Sequence, residues 1–338
     1  MPTANRTSLS ILFLFLAFAV LLHAQVDTAR ITGTVTDQTG GRIPGAKVTI
    51  RNLETNITVE TTANEVGVYR SVPLRIGLYS VSASKEGFKT AVRDGIHLEL
   101  QQEAVVDLVC PVGSVAEQVV VTADAPQLQA HSASQGQVID LKKIVDLPLN
   151  GRDYLQLARL TSGASYAAAG SRFGGFSSSG LRASHNNYLL DGMDNNSNQH
   201  AAAGRTAQVV EPSLAAVEEF KVETNTYSAE YGRNLGGVVN VSTRSGTNAF
   251  HGQLLEFLRN EALDAKNFFD DPQEPNPPYK RNQFGGALGG PMRRDRSFFF
   301  FDYEGTRFHS ADTVLSTIPT ELERRGDFSQ SVLRAAPV

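Results

Sequence analysis

The side chains best suited to chemistry in this chain are its histidines and carboxylates, and they form no catalytic pattern. A zinc-dependent hydrolase needs three closely placed His, Asp or Glu ligands and a general base. Between residues 29 and 110 the single histidine is His97, and neither HxxE nor HExxH occurs anywhere in the chain. No Ser-His-Asp set can be assembled from the scattered residues. We therefore predict that the chain is not an enzyme and has no catalytic or metal-ligating residues.

The glycine-rich stretches also lack the features of a cofactor site. GGFSSSG and GGALGG have neither the strand–GxGxxG–helix context of a dinucleotide site nor the Lys-Ser/Thr pair of a phosphate loop. DGMDNNSN, which starts at Asp191, lacks the acidic spacing and the terminal Glu of a calcium loop. We therefore predict no cofactor.

The N-terminus predicts export from the cytoplasm. Arg6 precedes a largely apolar run, Leu9–Leu22, and the small residue Ala24 follows. A charged start, a short apolar core and a small residue are typical of a cleaved signal peptide. A transmembrane anchor needs about 20 apolar residues, so this run is too short to be one. We predict a signal peptide over residues 1–24.

Charge and cysteine content restrict the classes of partner. Arg6 is the only charged residue in the signal peptide, so the remaining chain has a net charge of 30 − 35 = −5. This mild charge gives no reason to expect a nucleic-acid partner. The single cysteine, Cys110, cannot form an internal disulfide, and its place at the end of an apolar run predicts a buried thiol.

Residues 29–110 have the pattern of β-strands throughout. Short runs rich in Val, Ile, Thr and Tyr, such as RITGTVTD, AKVTIRN and GLYSVSAS, are separated by Gly, Pro and Asn. In the first run Ile31, Gly33 and Val35 fall on one face and threonines on the other. No helical period is visible, so the sequence predicts a small antiparallel β-sandwich.

This segment also resembles a known accessory domain. The stretch from GTVTDQTGGRIPG to IGLYSVSASKEGF resembles the carboxypeptidase regulatory-like domain, and the resemblance covers nearly all of residues 29–110. It implies a seven-stranded, transthyretin-like sandwich without catalytic activity. A carbohydrate- or protein-binding role for the sandwich stays open, because none of its residues identifies a ligand.

A short β-branched patch, EQVVVTA, follows the sandwich within a linker over residues 111–137. It is either one more strand of the sandwich or an exposed segment that a partner captures by strand addition. The patch is similar to the TonB box, which precedes the plug of TonB-dependent outer-membrane transporters. In that interpretation we expect it to lie outside both flanking domains. The residues of this candidate TonB box are Glu117, Gln118, Val119, Val120, Val121, Thr122 and Ala123.

Residues 138–245 combine short helices with short strands. Apolar spacing predicts helices around Ile144 and over Tyr154–Leu160, and a third helix is expected near Pro212. Strands are expected in NNYLLDG, EEFKVET and GGVVNVST. The sequence therefore predicts a mixed α+β domain.

Several motifs in and after this segment resemble the TonB-dependent receptor family. LPLNGRDYLQLARLTSGA, NNYLLDGMDNN and VEEFKVETNTYSAEYGRNLGGVVNVSTRSGTNAFHG look like its plug, and NQFGGALGGPMRRDRSFFFFDYEGTR looks like its first barrel strands. The Oar-like subgroup of this family also carries the regulatory-like sandwich. The resemblance implies a plug over residues 138–245. Its motif residues here are Asn150, Gly151, Arg152, Asp191, Gly192, Gly236 and Gly237.

Residues 246–338 are expected to begin a transmembrane β-barrel. In this family the last plug strand, here GGVVNVSTRSGTN, leads directly into the first barrel strand, here AFHGQLLEFLRNEAL. FFFFDY, which starts at Phe298, fits an aromatic girdle, although a buried aromatic strand of a soluble sandwich is the alternative. The segment has room for about four strands, which is fewer than the smallest barrels have. We therefore expect a fragment of a longer transporter, with poorly ordered or loosely paired hairpins and no closed barrel after Gly246.

The predicted fold is mainly β, with a sandwich, an α+β plug and the first strands of an incomplete barrel. The predicted function is that of the N-terminal portion of a TonB-dependent outer-membrane transporter. Such a protein binds a substrate, for example a carbohydrate or an oligomer, and imports it by TonB-coupled plug movement. The implied partners are TonB, outer-membrane lipid and the transported ligand, and the N-terminal domain would lie in the periplasm. A soluble periplasmic or surface adhesion protein and a metallopeptidase accessory subunit are the alternatives.

Overall fold

The computed structural model describes most of the chain after residue 28. The described residues are 29–114, 118–122, 134–147, 149, 152–166, 175–197, 208–229, 231–232, 234–266, 273, 275–310 and 319–329. The predicted signal peptide lies outside them. The described parts form two compact units, Met1–Gln253 with Gly286–Tyr303 and Leu254–Gly285 with Glu304–Val338. Among these described ranges, no helix is long and apolar enough to cross a membrane.

The segment from Ala29 to Cys110 forms strands because apolar and polar residues alternate along it. Ile31, Gly33 and Val35 are buried, as their alternation predicts. Most of its buried apolar side chains, together with the thiol of Cys110, form one hydrophobic cluster. The strands that contribute to or extend this region are β1 (Arg30–Thr36), β2 (Lys47–Asn52), β3 (Thr58–Thr62), β4 (Val68–Arg70), β5 (Gly77–Ser84), β6 (Thr90–Leu98), β7 (Glu103–Val105), β8 (Leu108–Val109) and β9 (Gln118–Thr122).

Two sheets make up this sandwich. One has the order β4-β1-β7, with β8 also paired to β1, and the other has the order β3-β2-β5-β6-β9. Strands β7 and β8 run parallel to β1, and β9 runs parallel to β6, so the prediction of an antiparallel sandwich is wrong at these places. The run AVVDLVC, whose composition also predicts a single strand, splits into β7 and β8 at Asp107. The Asp107 carboxylate accepts hydrogen bonds from the N–H and the hydroxyl of Thr34, at 2.8 and 2.7 Å.

The next group of elements combines a mixed sheet with short helices, as predicted for the plug. Its core contains the buried rings of Tyr154, Phe176, Tyr188 and Phe220. The elements are β10 (Gln135–Asp140), α1 (Leu141–Asp146), a 3₁₀ helix (Tyr154–Leu160), β11 (Ala164–Tyr166), β12 (Phe176–Ser178), a second 3₁₀ helix (Ala183–His185), β13 (Asn187–Leu190), β14 (Met193–Asp194), β15 (Val217–Asn225) and β16 (Val238–Thr243). The main sheet has the order β10-β15-β16-β13-β14, and β11 pairs with β12.

The prediction of a helix near Pro212 is wrong. The chain makes a single turn there, in which the carbonyl and the hydroxyl of Ser213 both accept from the Ala216 N–H at 3.1 Å. Strand β15 begins at the next residue, Val217. Ser213 favours such a local turn because its hydroxyl competes with helical backbone hydrogen bonds.

The last elements are three strands and one helical turn. They are β17 (His251–Asn260), β18 (Tyr279–Arg293), β19 (Ser297–Ser310) and α2 (Glu321–Arg324). The strands pair in the order β17-β18-β19, and the described residues form no closed barrel. The expectation of loosely paired hairpins is wrong for these strands, which have 10, 15 and 14 residues and form one sheet.

Candidate functional site

The described part of the candidate TonB box is strand β9, which lies at the edge of a sandwich sheet. Its register with β6 runs from Thr90–Gln118 to Asp94–Thr122. The expectation that the segment lies outside both flanking domains is therefore wrong for Gln118–Thr122, because the open edge of β6 pairs with their backbone groups. Glu117 and Ala123 lie outside the described residues. The identity of the segment as a TonB box stays a prediction.

The plug-motif residue Asp191 joins the ends of two neighbouring plug strands. Asp191 and Gly192 follow β13 with positive φ angles of 49° and 78°. The Asp191 carboxylate accepts from the N–H and the hydroxyl of Thr243, both at 2.8 Å, and its own N–H donates to the Val241 carbonyl at 2.8 Å. The turn after β13 therefore fixes the last residues of β16, just before the chain leaves the plug.

Gly236 and Gly237 lie at the opposite end of the same parallel strand pair, where backbones approach too closely for a side chain. A Cβ on Gly236 would lie 2.9 Å from the His185 carbonyl oxygen, and one on Gly237 would lie 2.9 Å from the Glu223 carbonyl oxygen. Asn186 completes the contact by accepting from the Gly237 N–H at 3.0 Å. The two glycines are therefore required sterically.

Of the predicted plug-motif residues Asn150, Gly151 and Arg152, the structure describes one. Asn150 and Gly151 lie outside the described residues. Arg152 has a positive φ of 59°, and its N–H donates to the Leu149 carbonyl at 3.4 Å in the connection between α1 and the first 3₁₀ helix. The structure thus places Asp191–Gly192 and Gly236–Gly237 on one strand pair and Arg152 on a separate loop.

A row of buried charges on β15 is a feature that sequence reasoning missed. Glu219, Lys221 and Glu223 alternate along the strand, and all three are almost fully buried. Lys221 and Glu223 form an ion pair with an Nζ–Oε1 distance of 3.1 Å. Burial raises the pKa of Glu219 to about 8, although the Leu100 N–H donates to its carboxyl group. The alternation of these charges in VEEFKVET was the visible clue to a shared face.

The turn Glu99–Gln102 of the sandwich covers part of this charged row. Leu100 is completely buried yet belongs to neither hydrophobic cluster, and its N–H reaches Glu219 of the plug. The neighbouring Gln101 has a positive φ of 58° and donates through its amide to the Tyr231 hydroxyl. These contacts join the sandwich to the plug sheet by hydrogen bonds.

Glycines also shape the passage from β16 into β17. A Cβ on Gly246 would lie 2.2 Å from the Phe299 carbonyl oxygen. Gly290 makes room for the ring of Phe250, and Gly289 makes room for the ring of His251, which stacks on Phe300 with centroids 6.5 Å apart. The GGALGG stretch is therefore a packing surface for rings. Within the described ranges, no three His, Cys, Asp or Glu side chains converge as a metal site requires.

Three protein-family models match the chain in succession. A carboxypeptidase regulatory-like domain matches residues 30–111, a TonB-dependent receptor plug domain matches residues 129–238, and an outer membrane β-barrel domain matches residues 242–337. The chain is 30% identical over 313 residues to the TonB-dependent transporter Oar of Myxococcus xanthus. This alignment covers 86% of the chain and 28% of that relative.

Solved structures show weaker similarity. The siderophore receptor PirA from Acinetobacter baumannii is 23% identical with a TM-score of 0.39, covering 52% of this chain and 24% of PirA. The outer membrane transporter YddB from Escherichia coli is 15% identical with a TM-score of 0.37, covering 46% of this chain and 25% of YddB.

The matches confirm the resemblance read from the sequence motifs. The matched relative is a transporter, which agrees with the prediction that the chain is not an enzyme. A plug domain followed by a barrel domain indicates the outer membrane as the location. The chain therefore contains a carboxypeptidase regulatory-like domain, a TonB-dependent receptor plug domain and an outer membrane β-barrel domain in that order, and it is similar over most of its length to a TonB-dependent transporter.

Proposed function

We propose that the protein containing these residues imports a substrate across the outer membrane by TonB-coupled movement of the plug. The observation that carries this proposal is the short passage from plug strand β16 to barrel strand β17, only seven residues from Arg244 to Phe250. A plug joined so closely to the barrel wall can move only through a local rearrangement. Asp191, which holds Thr243 at the end of β16, lies where such a rearrangement would start.

The exposed side chains of the barrel strands support a membrane location over a soluble adhesion protein. Leu254 of β17 is 93% exposed, and Phe301 of β19 is 64% exposed. Moving each such side chain out of water is worth roughly 1.5–3 kcal/mol. Contact with lipid would supply that gain, as it does on the outer face of a transmembrane barrel.

The candidate TonB box supports energy coupling. Strand addition recognises backbone groups and tolerates side-chain changes, which suits a short β-branched segment such as Gln118–Thr122. The segment lies between the regulatory-like domain and the plug, so a force applied to it reaches the plug through the chain. TonB is the proposed partner, and the regulatory-like domain is proposed to lie with it in the periplasm.

A proline substitution in the full-length protein tests this function. Val120→Pro removes a backbone donor from β9, whereas Val120→Ala keeps it, and strand addition depends on such backbone groups. We expect Val120→Pro to abolish TonB-dependent uptake while leaving outer-membrane insertion and ligand binding intact, and Val120→Ala to transport normally. If Gln118–Thr122 is only a structural strand, Val120→Pro should instead lower the melting temperature and the amount of folded protein. Normal uptake and a normal melt in Val120→Pro would contradict the proposal.

A further inference from the structure

Strand β9 is hydrogen-bonded along only one of its two edges. It is the last strand in the order β3-β2-β5-β6-β9, and its five residues pair in parallel with β6. Among the described residues, no strand pairs with its other edge. Because successive residues of a strand direct their backbone groups to alternating sides, part of the N–H and C=O groups of β9 face an open edge.

Strand β9 pairs with the sandwich through the backbone of β6. Val119 and Val120 are 37% and 56% exposed, and neither belongs to the hydrophobic cluster of the sandwich. The match to the regulatory-like domain ends at residue 111, before β9 begins. Strand β9 therefore lies beyond the matched domain and extends the edge of its sheet.

This arrangement affects how a partner can bind by strand addition. A free peptide must be ordered when it joins a sheet, which lowers its affinity. A strand already extended against β6 has lost that freedom, and among the described strands β9 is the last in its sheet. A protein with its own exposed strand edge can therefore continue the sheet beyond β9 without removing β9 from β6.

We propose that the sandwich presents Gln118–Thr122 as a preformed edge strand, and that TonB adds a strand to its open side. This inference rests on the proposed function, because it takes TonB as the partner of this segment. The opposite arrangement is that β6 hides the segment and TonB must displace it. The two arrangements predict opposite effects of a covalent link between β9 and β6 on TonB binding. The link preserves binding in the first arrangement and prevents it in the second.

A reversible disulfide distinguishes them in the full chain. Val92 and Val120 are register partners on β6 and β9, and neither belongs to the hydrophobic cluster of the sandwich, although Val92 is buried. The only native thiol, Cys110, is fully buried, and burial raises its pKa, so it should not compete. The test measures the affinity of the Val92→Cys/Val120→Cys chain for the purified periplasmic domain of TonB, once oxidised and once reduced.

We expect the oxidised form to bind as tightly as the reduced form or more tightly. A loss of affinity beyond about threefold on oxidation would show that β9 must leave β6, and would overturn the inference. The reduced form is the matched control, because the two samples differ only in the disulfide. A melting curve for each sample checks that the sandwich stays folded.

The Val120→Pro chain separates this inference from the proposed function. If wild type fails to bind the TonB domain, or if Val120→Pro binds as well as wild type, the proposed partner itself is wrong. If Val120→Pro loses binding and the oxidised disulfide form also loses it, TonB recognises the segment but only after its release. Retained binding in the oxidised form together with loss in Val120→Pro supports the presented strand.

Discussion

Replacing Glu219 by Gln should reduce the pH dependence of the chain's stability. Glu219 is 4% exposed, and burial raises the pKa of its carboxyl from 4.5 to about 8. The folded chain therefore holds the neutral acid near neutral pH, while the unfolded chain holds the carboxylate. Gln has no charge at any pH and keeps an oxygen that can accept from the Leu100 N–H.

The magnitude follows from proton linkage. The folded state binds the Glu219 proton more tightly than the unfolded state does. The contribution of this proton to the free energy of unfolding is therefore complete below pH 4.5 and is lost as the pH rises to about 8. Within that window each pH unit changes the free energy of unfolding by about 1.4 kcal/mol. Between about pH 5.5 and about pH 7.5 the wild type should lose about 3 kcal/mol that Glu219→Gln retains.

Urea unfolding, monitored by tyrosine fluorescence, measures this difference. The chain has no Trp, and Tyr154 and Tyr188 report on the plug because they are buried in its core. The control is Glu60→Gln, which removes an exposed sandwich carboxylate that pairs with Lys47 at 2.7 Å. That variant should keep the wild-type pH dependence. If the free energies of unfolding of wild type and Glu219→Gln changed equally with pH, the result would refute a neutral Glu219 in the folded chain.

Two further predictions concern the junction and the sandwich. Gly246→Ala should lower the free energy of unfolding by about 1–3 kcal/mol because its Cβ would overlap the Phe299 carbonyl oxygen. Gly232→Ala, where nothing lies within 4 Å of the added Cβ, should change it little, and equal stabilities of the two variants would count against the steric explanation. Residues 29–110 alone should show β-type circular dichroism and a cooperative melt, because they contain one complete core. A helical or disordered spectrum would contradict that domain boundary.

The strands with one buried face are those that the sequence predicts best. Along β1 the alternation of Ile31, Gly33 and Val35 with threonines identifies both the strand and its inner face. The glycines and β-branched residues of GGVVNVST identify β16 in the same way. Apolar spacing also predicts a helix over Tyr154–Leu160, although it does not distinguish a 3₁₀ helix from an α-helix.

Features that depend on distant residues are not predictable in this way. The residues of β9 favour an extended conformation, but whether they pair depends on the open edge of β6. The alternation of Glu219, Lys221 and Glu223 shows that they share a face, but burial of that face depends on packing against the turn Glu99–Gln102 of another domain. Tertiary contacts, not local preference, determine both features.

Photocrosslinking in cells tests TonB coupling most directly. A photoreactive residue would replace Val120 of the full-length protein or, as the matched position, Val66 of the sandwich. The two valines are similarly exposed, at 56% and 60%. Coupling through Gln118–Thr122 predicts a TonB adduct at position 120 that is missing at position 66 and in cells without TonB. No adduct at position 120, or equal adducts at both positions, would contradict TonB capture of this segment.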